Sequence, residues 1–260
     1  MTPISDRANS DITLDDLIMV APRFRAELDA ARSKKSPKNG WYLYDSLNNL
    51  VHLDQLLKGE YRSITQLAGD ATILDIGAAD GELAVLLSRM GFVVDVIDHA
   101  PTNHNGLEGA RILAELFTPQ MRIMDINIDR YHIADALKSS QRFGLALFLG
   151  ILYHLKNPYL AMEQLAGLTK YCIVSTRVAR LAPDRTRDIS DLPIAYLVDR
   201  YELNRDPTNF WIFTRSGLER LFARTGWRVV SSISVGDTRS SDPVSMDHDE
   251  RVFALLESVG

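Results

Sequence analysis

The chain has 260 residues, of which 46% are hydrophobic, and it carries a formal net charge of −5. This length and composition can bury a sizeable core as one large domain with additions, and the acidic balance gives no overall cationic field that would indicate a nucleic-acid partner. The single cysteine, Cys172, excludes an internal disulfide and zinc clusters of several cysteines, and no apolar run reaches the roughly 18 residues of a membrane span.

The beginning of the chain predicts a helical extension. Residues 1–12 are polar, and we expect them to be disordered; residues 1–16 lack the basic start and apolar block of a secretory signal, so we expect a soluble, cytoplasmic protein. Thr13 and Asp16 begin a helical pattern that continues to Ala31, and a second helix is expected over about 45–57. We assign residues 1–70 to an N-terminal helical extension.

An aromatic cluster, Trp41-Tyr42-Leu43-Tyr44, lies just before the second helix. Aromatic side chains dominate burial energetics, so the cluster packs against the core in one interpretation. In the other it forms a flap over a binding site, and Tyr42 then contacts a substrate.

From residue 71 onward, strand and helix patterns alternate, which predicts an α/β domain over 71–260 with a parallel sheet and helices on both of its faces. We expect strands at 73–77, 92–98, 121–125, 144–149, 171–176, 227–235 and 251–257. Helices are expected at about 81–90, 107–117, 131–139, 158–168 and 215–225. The segments 177–209 and 236–250 lie outside this alternation, and a loop as long as the first is typically a lid.

A strand, a tight turn and a helix are predicted over Ile73-Leu74-Asp75-Ile76-Gly77-Ala78-Ala79-Asp80-Gly81-Glu82-Leu83-Ala84. Gly77 and Gly81 let the main chain approach a ligand, and the amides that open the helix can face a polar group. The spacing G-x-x-x-G differs from the G-x-G-x-x-G of dinucleotide sites, which disfavours NAD. The next strand ends at Asp98, where a carboxylate can accept from both hydroxyls of a ribose.

These features together resemble the S-adenosylmethionine site of the class I methyltransferases. The resemblance implies a doubly wound, seven-stranded, mostly parallel Rossmann-like sheet of order 3-2-1-4-5-7-6, with an antiparallel last strand. It implies S-adenosylmethionine as the cofactor. The residues expected to bind it are Asp75, Gly77, Ala78, Gly81, Asp98, His99, Asp125, Ile126 and Leu149.

The fourth strand leads into Leu149-Gly150-Ile151-Leu152-Tyr153-His154-Leu155-Lys156-Asn157-Pro158. This run, with Phe210-Trp211-Ile212-Phe213, resembles a branch that includes the tRNA wobble-uridine carboxymethyltransferases and bacterial small-molecule methyltransferases. In open α/β sheets ligands bind beyond the carboxyl ends of the strands, so His154 is expected to be a general base and Tyr153 to orient the acceptor. A purely structural histidine is the alternative.

Arg177 and Arg180 follow the fifth strand and could bind a carboxylate or phosphate of the substrate, and Trp211 is a further candidate contact. The alternative for these arginines is a solvated, salt-bridged surface. His99 and His104 fit no familiar metal spacing, so no metal site is predicted, and their loop is expected to line the adenosine pocket.

We therefore expect methyl transfer to a small polar molecule, on an oxygen of a sugar or natural-product intermediate, although a nitrogen acceptor and a homodimer stay open. One alternative is a tRNA-modifying (carboxy)methyltransferase. The other is a non-catalytic S-adenosylmethionine-binding regulator or scaffold protein.

Overall fold

The computed structural model describes residues 11–137 and 142–260. The chain forms a mixed α/β fold with a mostly parallel sheet and an N-terminal helix, as predicted. Its described residues divide into two compact units: residues 11–126 with 142–145, and residues 127–137 with 146–260. The predicted boundary at residue 70 lies inside the first unit, so the assignment of 1–70 to a separate extension stays a prediction.

The first unit contains five helices and three complete strands in its described residues. Its helices are α1 (Leu14–Arg32), α2 (Leu50–Leu56), α3 (Ile64–Ala68), α4 (Glu82–Arg89) and α5 (Glu108–Phe117). Its strands are β1 (Ile73–Ile76), β2 (Val94–Asp98) and β3 (Arg122–Asp125), and β4 (Phe143–Leu149) begins there. The order is β3-β2-β1-β4, and both pairs formed by β2 are parallel.

Helix α1 begins where the sequence predicts, because Thr13 and Asp16 form a capping box. The Thr13 hydroxyl accepts from the Asp16 amide, and the Asp16 carboxylate accepts from the Thr13 amide at 2.9 Å. Such a box satisfies two amides that the helix itself leaves without partners. The expected disorder of residues 1–12 concerns positions that lie almost wholly outside the described residues.

The second unit contains the rest of β4 and five further strands. Its elements are α6 (Ile133–Leu137), α7 (Pro158–Leu168), β5 (Thr169–Val178), β6 (Ala195–Leu197), β7 (Trp211–Phe213), α8 (Arg215–Arg224), β8 (Trp227–Gly236) and β9 (Glu250–Ser258). Strand β9 lies antiparallel between β5 and β8. In the numbering of the seven predicted strands this is the order 4-5-7-6, so the predicted antiparallel last strand is confirmed.

Two strands of the second unit are absent from the prediction. Strand β6 lies in the predicted lid and pairs antiparallel with β7, while β7 pairs with β5 only through Phe213 and Val178. Each has three residues, which is too short to show a period of two in the sequence. The segment 177–209 is therefore partly ordered by strand pairing.

Helix α6 is described over Ile133–Leu137, and the last part of the predicted helix 131–139 lies outside the described residues. In the described ranges, no helix combines the length and the apolar character needed to cross a lipid bilayer.

Candidate functional site

The turn after β1 has a left-handed backbone at alternate positions. Gly77, Ala79 and Gly81 have φ values of 71°, 57° and 79°. Glycine adopts these values without steric cost, whereas Ala79 holds a conformation that L-residues rarely adopt. Such a conformation persists only where the surroundings enforce it, and the Gly77 and Gly81 amides donate to the Ile97 and Ala78 carbonyls, both at 2.8 Å. The turn is therefore held by its own hydrogen bonds, and Gly81 leads directly into α4.

The Asp98 carboxylate lies at the end of β2, half-buried, and each of its oxygens accepts a hydrogen bond. Asn103 Nδ2 donates to Oδ2 at 2.9 Å, and the His99 amide donates to Oδ1 at 2.7 Å. Burial raises the pKa of Asp98 above its ordinary value, although these hydrogen bonds oppose the rise. The loop that follows β2 thus orients this acid.

The end of β3 lies beside the end of β2 in parallel register. Asp125 pairs with Asp98 in that register, the Ile126 amide donates to the Asp98 carbonyl at 2.9 Å, and Asp125 Oδ1 accepts from the Ala100 amide at 2.9 Å. The structure therefore brings Asp98, His99, Asp125 and Ile126 together, as the sequence predicts. His99 itself lies with Nδ1 3.1 Å from Thr102 Oγ1.

The aromatic segment that contains Tyr42 contacts both the loop after β2 and the turn after β1. Tyr42 Oη accepts from the His104 amide at 2.7 Å, and the Tyr42 amide donates to Asp80 Oδ2 at 2.7 Å. Burial raises the pKa of Tyr42 to about 12, so its hydroxyl keeps its proton at neutral pH. Whether this segment opens and closes as a flap stays a prediction.

Two buried acids of the turn and of α4 anchor the N-terminal residues, a role that the sequence analysis missed. Asp80 accepts from Asn105 Nδ2 at 2.8 Å as well as from Tyr42. Glu82 accepts from Ser46 Oγ at 2.8 Å and pairs with Arg32. A charged residue at the centre of a buried turn requires such partners, and this requirement is the signal that could have identified Asp80.

Asp75 is buried in β1. Burial, with the nearby charges of Asp98 and Glu82, raises its pKa to about 7. Asp75 thus exchanges its proton near neutral pH, unlike an ordinary surface carboxylate.

In the second unit, the Nδ1 atom of His154 contacts Thr208, and burial shifts the pKa of the ring. Its Nδ1 lies 3.2 Å from the Thr208 carbonyl oxygen and 3.0 Å from Thr208 Oγ1. Burial lowers the pKa of His154 below its ordinary value of about 6.5, while Asp206 opposes this effect. The imidazole is therefore neutral at pH 7 and able to accept a proton.

Tyr153 lies against His154, with ring centroids 4.1 Å apart. Arg251 Nη1 is 3.4 Å from Tyr153 Oη, and Arg251 Nε donates to Asp249 Oδ2 at 3.0 Å. The Tyr153 carbonyl accepts from the Phe210 amide at 2.8 Å, which ties the Tyr-His segment to the residue before β7. Tyr153, His154 and Arg251 therefore form one polar cluster.

The predicted substrate arginines have internal partners. Arg180 forms a bidentate pair with the buried Glu250, with Nε and Nη2 at 2.7 and 2.8 Å from the two carboxylate oxygens. Arg177 is buried and donates to the Asp242 carbonyl at 3.1 Å and to the Ser245 carbonyl. Both guanidinium groups hold the 236–250 loop, and these internal contacts favour the structural alternative of the sequence prediction over a substrate contact.

The remaining predicted positions are Trp211 and Leu149. Trp211 Nε1 donates to the Lys156 carbonyl at 3.2 Å. Trp211 is half-buried and Lys156 is exposed. Leu149 is the half-buried last residue of β4. Within the described residues, no group of three or more His, Cys, Asp or Glu side chains could hold a metal ion.

A family model described as a methyltransferase domain matches residues 52–232 of the chain. No curated protein matches the sequence. The fold is similar to that of a putative methyltransferase (BH2331) from Bacillus halodurans, with a TM-score of 0.56 and 14% identity over 81% of this chain and 98% of that chain.

Two further solved structures have similar folds. The N-terminal domain of EvdMO1, determined in the presence of SAH and D-fucose, has a TM-score of 0.52 and 16% identity over 76% of this chain and 80% of that one. Magnesium protoporphyrin IX methyltransferase (ChlM) from Synechocystis PCC 6803, with bound SAH, has a TM-score of 0.50 and 12% identity over 96% of this chain and 90% of that one. At these identities the likeness concerns the fold.

Proposed function

The chain belongs to the methyltransferase-domain family, whose methyl donor is S-adenosylmethionine, and from this premise we propose that it methylates an oxygen of a small polar acceptor, a sugar or natural-product intermediate. S-adenosylmethionine, when bound, supplies a methyl group on a positively charged sulfur. The protein's own residues then have to hold the donor, orient the acceptor and take up a proton.

The residues of the first unit fit this donor. Each Asp98 oxygen already accepts from the protein, and a carboxylate with about four acceptor sites can take ribose hydroxyls in addition. Hydroxyl donors would also compensate for the burial that raises the pKa of Asp98. Gly77 and Ala78 would present main chain to the methionine part. The proposed donor residues of the first unit are Asp75, Gly77, Ala78, Gly81, Asp98, His99, Asp125 and Ile126. Leu149, which belongs to the second unit, stays a proposed donor residue as well.

The observation that supports an oxygen acceptor is the placement of His154, whose Nδ1 is engaged by Thr208 and whose pKa is lowered by burial. A hydroxyl that attacks carbon must lose its proton as the new bond forms, and a neutral imidazole accepts it. We assign His154 as the general base and Tyr153 as the residue that orients the acceptor.

The nature of the acceptor is supported by two further observations. The net charge is −5, without the cationic surplus that phosphate backbones attract. The EvdMO1 domain, which shares the fold, was crystallised with a free sugar. Tyr42 and Trp211 are proposed acceptor contacts. Arg180, whose side chain is 30% exposed beside Glu250, stays in the proposal as an acceptor contact, whereas the buried side chain of Arg177 offers the acceptor no accessible group.

The test is an incubation of the purified chain with S-adenosylmethionine and panels of free sugars and hydroxylated natural products. We expect S-adenosylhomocysteine and a product that is heavier by one methyl group, with the methyl on oxygen by NMR. The variant Asp98→Ala, assayed in parallel, should lose this turnover. Transfer to RNA, or tRNA binding that survives physiological salt, would overturn the proposed acceptor. Binding of S-adenosylmethionine without turnover on any panel would instead favour a non-catalytic regulator.

A further inference from the structure

Residues 203–209, which are distant in sequence from β4 and the Tyr-His segment that follows it, contact His154 through Thr208. We propose that Asp206 and Thr208 are positioning residues that keep the proton of His154 on Nδ1 and the lone pair on Nε2. This inference rests on the proposed role of His154 as the general base. The inference explains how a neutral His154 is held in the Nδ1–H tautomer, which leaves Nε2 free to accept a proton.

The hydrogen bonds around Thr208 allow only one assignment of protons. Asp206 Oδ1 is 2.6 Å from Thr208 Oγ1, and a carboxylate can only accept, so the hydroxyl proton of Thr208 points to Asp206. Thr208 Oγ1, 3.0 Å from His154 Nδ1, must then accept from the ring. The Thr208 carbonyl oxygen, at 3.2 Å, can only accept as well. Both contacts therefore require the proton on Nδ1.

The charges around His154 have opposite effects. Asp206 favours the protonated ring and Arg251 disfavours it, while Tyr153 lies against the ring face. Burial lowers the pKa of His154, and the Asp206 charge limits that fall. The carboxylate thus preserves basicity in a ring that burial would otherwise make a poor proton acceptor.

The backbone that presents Asp206 is held in a rare conformation. Leu203, Asn204 and Arg205 are consecutive and have φ values of 35°, 66° and 54°. None is a glycine, so each carries a steric cost, and such strain persists only where other contacts enforce it. Leu203 is buried in an apolar cluster against which Tyr153 packs, and Asn209 Nδ2 donates to the Leu203 carbonyl at 2.9 Å. These contacts fix the turn and hence Thr208.

The chain offers a matched control in the same insertion. Asp188 Oδ1 accepts from the Ser190 amide at 2.8 Å and from Ser190 Oγ at 2.6 Å. Asp206 Oδ1 makes the same two bonds to Thr208, at 2.9 and 2.6 Å. The two turns are chemically alike, but only the second places its hydroxyl on a histidine. Asp188→Asn and Asp206→Asn therefore make the same local change with different expected consequences.

The experiment measures the imidazole nitrogens of His154 by NMR in the full chain with labelled histidine, without any ligand. His154→Gln identifies the resonance among the six histidines. We expect the Nδ1–H tautomer at pH 7. Asp206→Asn should lower the pKa of His154 by about 0.5 to 1, because it removes one negative charge that reaches the ring through two successive hydrogen bonds in a partly aqueous medium. Asp188→Asn should leave it unchanged.

A second pair of variants separates positioning from folding. Thr208→Val should lower the pKa of His154 and increase the Nε2–H tautomer, and Thr208→Ser should restore both. An Nε2–H tautomer in the wild type, or equal pKa values in Asp206→Asn and wild type, would overturn the inference. These readouts need no methyl acceptor. If NMR shows the Nδ1–H tautomer but the protein has no methyltransferase turnover, only the proposed function is rejected. If the protein turns over but His154 is in the Nε2–H tautomer, only the positioning role is rejected.

Discussion

The side-chain amide of Asn103 donates to the Asp98 carboxylate, with 2.9 Å between Nδ2 and Oδ2. Asn103 is buried and belongs to the loop that follows β2, so the acid at the end of this strand is oriented by the loop beyond it. An acceptor held in this way loses little freedom when a ligand binds, which favours affinity.

Asp98→Ala is therefore expected to remove most of the affinity for S-adenosylmethionine. Losing an acceptor for two hydroxyls should cost about 2 kcal/mol or more, which is roughly thirtyfold in the dissociation constant. Titration calorimetry measures this directly. Asp70→Ala removes an exposed acid of the same unit and should leave the affinity unchanged. A change of less than twofold in Asp98→Ala would show that the donor is held elsewhere.

His154→Ala is expected to lower kcat by about 10² to 10⁴, the usual contribution of a positioned base. Affinity for S-adenosylmethionine should stay within about twofold, because its proposed residues do not include His154. The exposed His132 provides the control variant His132→Ala, which should behave as wild type. A well-folded His154→Ala protein with normal kcat would remove this residue from the mechanism.

The pH dependence of kcat follows from the lowered pKa of His154. The base must be neutral, so the rate should rise with pH and reach half its maximum below pH 6.5, the ordinary histidine value. This acidic limb should be absent from the pH profile of His154→Ala. A limb centred well above pH 6.5 in the wild type would identify a different titrating group.

Asp75 makes the stability of the fold depend on pH. Its pKa is raised to about 7 in the folded chain, so the unfolded chain releases the proton first and stability is lost as pH rises from about 4 to 7. Asp75→Asn should remove this loss and stabilise the protein above pH 7 by on the order of 2 to 4 kcal/mol. The measurement is urea unfolding of both proteins at pH 5 and pH 8. An equal loss in both would contradict the assignment.

Arg180 is expected to matter for stability because of its pair with Glu250. Arg180→Ala would leave a buried carboxylate without its partner, at a cost of about 3 to 5 kcal/mol in the free energy of unfolding. Adding Glu250→Gln should recover part of that loss. Arg239→Ala, at an exposed position of the 236–250 loop, is the control and should be neutral. Normal stability of Arg180→Ala with a raised KM would instead support the substrate role.

The sequence alone determined the alternation of strands and helices, the residues of the turn and the position of an acid at the end of β2. These follow from local patterns: apolar runs of strand length, helical spacing, a capping box at Thr13, and two glycines after β1. The likeness to methyltransferases was visible because those residues are close together in the chain. The finer branch resembling tRNA wobble-uridine enzymes gained no support from the family match, which describes a methyltransferase domain only.

Only the tertiary structure decided which charged groups are available and which are occupied. Arg180 and Glu250 are 70 positions apart, and His154 and Thr208 are 54 apart. A local pattern cannot reveal such pairs, because each partner alone resembles an ordinary surface or turn residue. The three-residue strands β6 and β7 are likewise fixed by pairing with distant residues. The proposed Nδ1–H tautomer of His154 rests on these long-range hydrogen bonds, since the acceptors facing Nδ1 come from a turn that only folding brings to the ring.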